Sequence, residues 1–283
     1  LIFEVRDIWP LTLVCEGGFA TRNPLVVGLG LIEKLAYSKA DAIVGTMPNL
    51  REHVEEIVDQ PPPVYCIPMG VDESMLRPAR PLPPAYESTH IPKSDFLVGY
   101  AGGIGIANSL EALFDCARAL QDEARVHFLV LGEGDLKAHY QAKYADLPNL
   151  SFAPGVPKDA VQTVLRHCDL LVFTADPSER WKFGQSLNKL VDYMLSAKPI
   201  VATYSGFPSM IDEAGCGSFV PAGDVESLRN EILRFMRMPP EMRAGMGVAG
   251  RDWLLAGAPW PSSNAGAAFL PAMLAHPIDR AEP

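Results

Sequence analysis

A chain of 283 residues with 48% apolar and 20% charged side chains is long and apolar enough to build two globular domains or one large one, and its composition excludes a disordered protein. Its formal charge of -10, from 34 acidic against 24 basic residues, repels a phosphate backbone and excludes nucleic acid as an expected partner. Five dispersed cysteines, Cys15, Cys66, Cys116, Cys168 and Cys216, form no C-x-x-C pair and read as small buried thiols, which points to a reducing cytoplasmic setting. No run reaches the roughly 18 apolar residues of a membrane span, which leaves open only peripheral contact with the inner face of a membrane.

In chain order, a buried-strand pattern opens the sequence at 1–5 with no lead-in, as expected of a chain shortened at its amino end. Its uncovered neighbours are then expected to expose apolar surface. A helix is predicted at 26–38, a strand at 42–45, a helix at 50–58 and a strand at 64–67. From Arg77 to Ser94 the prolines Pro78, Pro81, Pro83, Pro84 and Pro92 stand among polar residues without a hydrophobic period, which predicts a linker. Strands follow at 96–100, 126–131, 170–173, 200–202 and 218–220, with helices at 109–121, 136–145, 159–166, 187–196, 225–236, 241–254 and 264–274. Strand and helix alternate almost throughout, the signature of an α/β protein with parallel sheets covered by helices. The segments Ala40 to Thr46 and Cys168 to Thr174 echo each other, each with an Asp before an apolar strand and a Thr at its end, as two related Rossmann-like domains would show and as any two short buried strand entries would also.

Three segments carry a family resemblance. Cys66-Ile67-Pro68-Met69-Gly70-Val71-Asp72 resembles the I-P-N-G-V-D turn that precedes the interdomain linker in retaining glycosyltransferases of family four, which have the GT-B fold. Ser186-Leu187-Asn188-Lys189-Leu190-Val191-Asp192-Tyr193-Met194, with Lys198-Pro199-Ile200-Val201, is similar to that family's nucleotide-binding helix and the strand after it. Glu4-Val5-Arg6-Asp7-Ile8-Trp9-Pro10 is similar to the E-V-R-D-x-W-P of a branch that builds bacterial surface polysaccharides. The resemblance implies a partial acceptor-side domain at 1–77, a linker at 78–95 and a donor-binding domain at 96–258. A tail helix within 259–283 would pack back on the first part. It also implies a nucleotide-diphosphate sugar as donor, a saccharide or lipid-linked acceptor, and neither a cofactor nor a bound metal.

Candidate site residues follow. Leaving diphosphate must be stabilised as its charge develops. The glycine run Gly102, Gly103, Gly105 ends a strand before a helix for which Asn108 and Glu111 have capping-box spacing, so close backbone approach and free N–H groups are expected there. Small residues, with Ala107 among them, stand where relatives carry Arg and Lys, so charge neutralisation falls to Arg180, Lys182 or Lys189. For Arg180 a solvated loop position is the alternative. Asp192 matches the second Glu of the family's E-x7-E pattern, whose carboxylate binds the nucleotide ribose. Gly184 replaces the first Glu, so backbone amides of Gly184, Gln185 and Ser186, or a swung-in Glu179, are left to reach the sugar. Gly155 and Val156 resemble the turn beside the nucleobase, and Asn188 and Leu190 flank Lys189 in the matching helix. Glu133-Gly134-Asp135 is expected to be a tight turn rather than a metal site. Arg6 and Asp7 end the first strand, either facing a cleft or forming a structural ion pair. No catalytic base is assigned. Two other functions fit less of the sequence: a nicotinamide dehydrogenase, with Gly103-Ile104-Gly105 and Glu133 but Asn108 at the third glycine position, and a noncatalytic sugar-nucleotide-binding module.

Overall fold

The computed structural model describes residues 1–256, so the tail helix expected within 259–283 lies outside the described residues. The chain divides into two compact units, each with its own sheet. No helix among the described residues is long and apolar enough to cross a membrane.

The first unit holds Leu1–Met69 and Ser178–Ser186. Its strands β1 (Ile2–Val5), β2 (Ala42–Gly45) and β3 (Val64–Cys66) pair in parallel in the order β1-β2-β3. The helices α1 (Leu11–Cys15), α2 (Pro24–Lys39) and α3 (Leu50–Ile57) alternate with them. Val5, Tyr37, Ile43, Leu50, Val54 and Phe183 form its core, so the 178–186 segment packs there through Phe183. α2 starts where Asn23 accepts the Leu25 amide and Pro24 presets the first turn. Its outer face is apolar and uncovered among the described residues, with Leu31 67% and Ile32 63% exposed, and β1 stands at the edge of the described sheet.

The second unit comprises Gly70–Pro177 and, among the described residues, 187–256. The helix α4 (Pro84–His90) lies inside the stretch expected to be a linker, with Pro84 fixing its first turn. Six parallel strands follow: β4 (Phe96–Ala101), β5 (Val126–Leu131), β6 (Leu150–Ala153), β7 (Leu170–Thr174), β8 (Ile200–Thr203) and β9 (Gly217–Val220). Their order, β6-β5-β4-β7-β8-β9, reverses between β4 and β7 and is that of a dinucleotide-binding sheet. The runs of β4, β7 and β8 are buried at every position, as a parallel sheet covered on both faces requires. The covering helices are α5 (Glu111–Ala119), α6 (Lys137–Lys143), α7 (Val161–His167), α8 (Asn188–Leu195), α9 (Met210–Ala214), α10 (Val225–Arg237) and α11 (Pro240–Leu255).

Two local expectations change. α5 begins at Glu111 behind Leu110, with no side-chain cap, so Asn108 is not its N-cap. The cause is Ser109, whose φ of 47° breaks the chain between a short 3-10 turn, Ile106–Asn108, and the helix. Glu111 instead accepts a 2.6 Å hydrogen bond from the Tyr140 hydroxyl.

Candidate functional site

In an open α/β sheet, ligands bind beyond the carboxyl ends of the strands where their order reverses. The second unit has a cavity of about 520 Å³ at this place. β4 and the residues after it supply Ala101, Gly102 and Gly103 to it, β5 and the residues after it supply Leu131, Gly132 and Glu133, and the loop after β6 supplies Gly155 and Val156. Asn188, Lys189 and Asp192 enter from the first turns of α8. Two residues that no sequence pattern singled out, Lys158 and Val161, complete the side facing α7. The signal for Lys158 was slight: it is the first cation after the Gly155-Val156 turn.

Folding fixes this wall by hydrogen bonds between loops. The Gly102 amide donates to the Leu131 carbonyl at 3.0 Å and the Ile104 amide to Glu133 at 2.9 Å. Two strands thus go on pairing past their ends. α8 is tied to the switch point by the buried Tyr193 hydroxyl, which accepts from the Ala101 amide at 2.8 Å. Lys189 and Asp192, three residues apart, fall on the same face of that helix.

Lys189 is the more buried of the two lysines that line the cavity. Its Nζ donates to Asn108 Oδ1 and, at 3.3 Å, to the Tyr100 hydroxyl, and it lies 4.9 Å from the centre of the Tyr100 ring. These partners are neutral, and burial pulls its pKa down from 10.5 to about 8. Asn108, expected as a helix cap, therefore serves as the lysine's acceptor, while its own carbonyl accepts from Thr174 Oγ1 at 3.0 Å. Asp192 is paired with Lys158, and its side chain is 13% exposed.

The other candidates are not among the residues that line this cavity. Gly105 does not line the cavity, and Leu190 is fully buried in the fold. Arg180, Lys182, Gly184, Gln185 and Ser186 belong to the first unit. There Arg180 pairs with Glu16 and stacks on Trp181, 3.9 Å from the ring centre, while Lys182 pairs with Glu56 at 2.8 Å. Both cations thus already have carboxylate partners. Gly184 takes φ 91°, and a Cβ there would lie 2.4 Å from the Pro48 ring, so this backbone admits no glutamate at that position. Asp7 accepts the Ile8 amide at 2.9 Å and the Thr12 hydroxyl at 2.8 Å, and Arg6 lies 3.9 Å from Glu4 rather than pairing with Asp7.

Glu133 is bonded to the loops around it at the cavity wall. Its Oε1 accepts the Gly155 amide at 2.8 Å and Lys137 Nζ at 2.9 Å, and these bonds hold its carboxyl below the usual range. No group of three or more His, Cys, Asp or Glu among the described residues is arranged to hold a metal ion.

Residues 95–238, a little over half of the chain, match the family model of the glycosyl transferases group 1. No curated protein sequence matches the chain. Sucrose-phosphate synthase from Thermosynechococcus elongatus is similar in structure, with a TM-score of 0.72 at 16% identity over 97% of this chain and 68% of that one. WaaG, a glycosyltransferase involved in lipopolysaccharide biosynthesis, gives 0.70 at 14% identity over 95% and 74%. A TarM variant of S. aureus in complex with fondaparinux, alpha-GlcNAc-glycerol and UDP gives 0.63 at 16% identity over 89% of this chain, which spans only 48% of that protein. These likenesses support the GT-B type of fold, and on the family match the chain belongs to the glycosyl transferases group 1.

Proposed function

We propose that the protein transfers a sugar from a nucleotide-diphosphate sugar to a saccharide or lipid-linked acceptor, with retention of anomeric configuration and without a bound metal. It is proposed to work in the branch of family four that builds bacterial surface polysaccharides. The observation that carries the proposal is the convergence of Gly102, Gly103, Gly155, Lys189 and Asp192 on one cavity at the strand-order switch. The Ile-Pro-Met-Gly motif and the UDP and saccharides named with TarM support the family-four reading, and the Glu-Val-Arg-Asp motif and the lipopolysaccharide role named for WaaG support the branch. In this scheme Asp192 accepts hydrogen bonds from the ribose hydroxyls, and Lys189 stabilises the diphosphate as its bond to the sugar breaks.

Asp192→Ala is expected to weaken nucleoside binding by about 1 to 3 kcal/mol, because the ribose hydroxyls lose their acceptor inside the site. Calorimetric titration checks this, and an unchanged affinity would make α8 a scaffold only. Transfer assayed in EDTA should proceed at the same rate, and proton NMR of the product should show the donor's anomeric configuration.

Peripheral contact with an anionic membrane is proposed through α2. Leu25, Val27, Leu31, Ile32 and Leu35 are exposed on it, together with Lys34 and Lys39. Its one acid, Glu33, is buried against Tyr37 and His53. An apolar face with a cationic rim and no exposed acid suits such a surface even in an acidic chain. Wild-type protein should float with vesicles containing phosphatidylglycerol, and a Leu31→Glu, Ile32→Glu variant should sediment free. Equal flotation of the two would refute the contact.

A further inference from the structure

We infer that Lys158 is a positioning residue of the donor site, holding the Asp192 carboxylate so that one of its oxygens is presented to the nucleotide ribose. The inference deepens the proposed function and rests on Asp192 as the ribose acceptor.

Lys158 stands in a 3-10 turn, Lys158–Ala160, three residues after Gly155. That turn is fixed from two sides. The Arg80 amide donates to the Asp159 carbonyl at 2.8 Å, Arg80 Nε lies 3.1 Å from Asp159 Oδ2, and Thr163 Oγ1 donates to the Arg80 carbonyl at 2.7 Å. On the α8 side, Gln162 Nε2 donates to the Asp192 carbonyl at 2.9 Å, beside the ion pair. The ammonium therefore reaches Asp192 from a tethered base.

The pair is asymmetric. Asp192 keeps 13% of its side chain exposed and Lys158 63%, so the carboxylate is nearly enclosed while its partner stays in solvent. Lys158 binds Oδ2 alone and leaves Oδ1 without a protein partner among the described residues. A second cavity of about 440 Å³, bounded by Ser74, Arg77, Ala79 and Gln162, lies on the other side of the pair, and Lys158 and Asp192 are the residues it shares with the donor cavity. The ion pair is thus a partition. Without the lysine, nothing stops the carboxylate from turning toward the second cavity and withdrawing Oδ1 from the ribose.

The test compares Lys158→Ala and Lys158→Arg with wild type, using uridine or guanosine diphosphate, whichever the wild type binds more tightly, and its 2′,3′-dideoxy form. Lys158→Ala should weaken the ribonucleotide roughly 5- to 10-fold and leave the dideoxy form unchanged, since the lysine acts only through Asp192 and the ribose hydroxyls. Lys158→Arg should restore most of the loss, and Lys158→Ala should add nothing in an Asp192→Asn background. Equal weakening of both ligands, or no weakening of either, would overturn the role of Lys158 while leaving the donor site standing. Wild-type protein that binds neither diphosphate would overturn the donor site and the role of Lys158 with it. Because Lys158 is exposed, the variants should melt within about 2 °C of wild type.

Discussion

Lys189→Met should cost the protein its preference for nucleoside diphosphate over nucleoside, by roughly 10- to 100-fold, while the uncharged nucleoside keeps its affinity within about threefold. The size follows from the loss of a charge-assisted hydrogen bond to phosphate, worth roughly 1.5 to 3 kcal/mol. It should be cushioned little by neighbours, because Asn108 and Tyr100 are neutral, small residues occupy the glycine loop and the cavity's other lysine, Lys158, is paired with Asp192. A pH dependence separates this lysine from an ordinary surface charge. With its pKa near 8, Lys189 is charged in the free site below that value and neutral above it, so diphosphate affinity should fall as pH rises past 8 in wild type and stay flat in Lys189→Met. The stability sign is opposite. The unfolded lysine holds its proton up to its ordinary 10.5 and the folded one only to about 8, so wild type gains stability as pH rises through that window. The variant should lack that gain and be the more stable protein near neutral pH. An unaltered diphosphate preference in Lys189→Met would place the phosphates elsewhere.

Gly132→Ala should lower stability by about 2 to 4 kcal/mol and the melting temperature by roughly 5 °C or more. Gly132 has φ 149°, and a Cβ on it would lie 1.9 Å from the carbonyl oxygen of Gly102. That neighbour is backbone, held by the bond from its own amide to Leu131, and cannot step aside without opening the loop that lines the cavity. Gly105→Ala is the matched control. It has no atom within 4 Å of the added methyl and no positive φ, so its melting temperature should stay within about 2 °C of wild type. Equal melting of the two variants would mean that the loops do not pack as closely as this.

Where the sequence was legible, local pattern and long-range packing agree. The runs of β4, β5 and β7 are continuous and apolar because both sheet faces are covered, so their positions could be read directly. The edge strand β6 could not, since Leu150-Ser151-Phe152-Ala153 is short and mixed, and it is recognisable only by its pairing with β5. The prolines before Ser94 hid α4 because the same residue that breaks a helix also starts one. At the site, Lys189 and Asp192 were legible from helical spacing and resemblance. The partners of Arg180 and Lys182 were not: Glu16 and Glu56 are remote in sequence, and no local signal announces such a pair. Lys158 was hidden for the same reason, 34 positions from the carboxylate it holds. Conversely, the glycine run suggested three backbone needs, yet the positions where β5 meets the loop, Gly132 and Gly134, carry the steric requirement.

Calorimetric titration of the whole chain with uridine diphosphate, guanosine diphosphate and NAD tests the donor-site assignment most directly. One of the two nucleoside diphosphates should saturate a single site and be displaced by its own nucleotide sugar, with NAD giving no heat of binding. Saturable binding of NAD with neither diphosphate bound would contradict it.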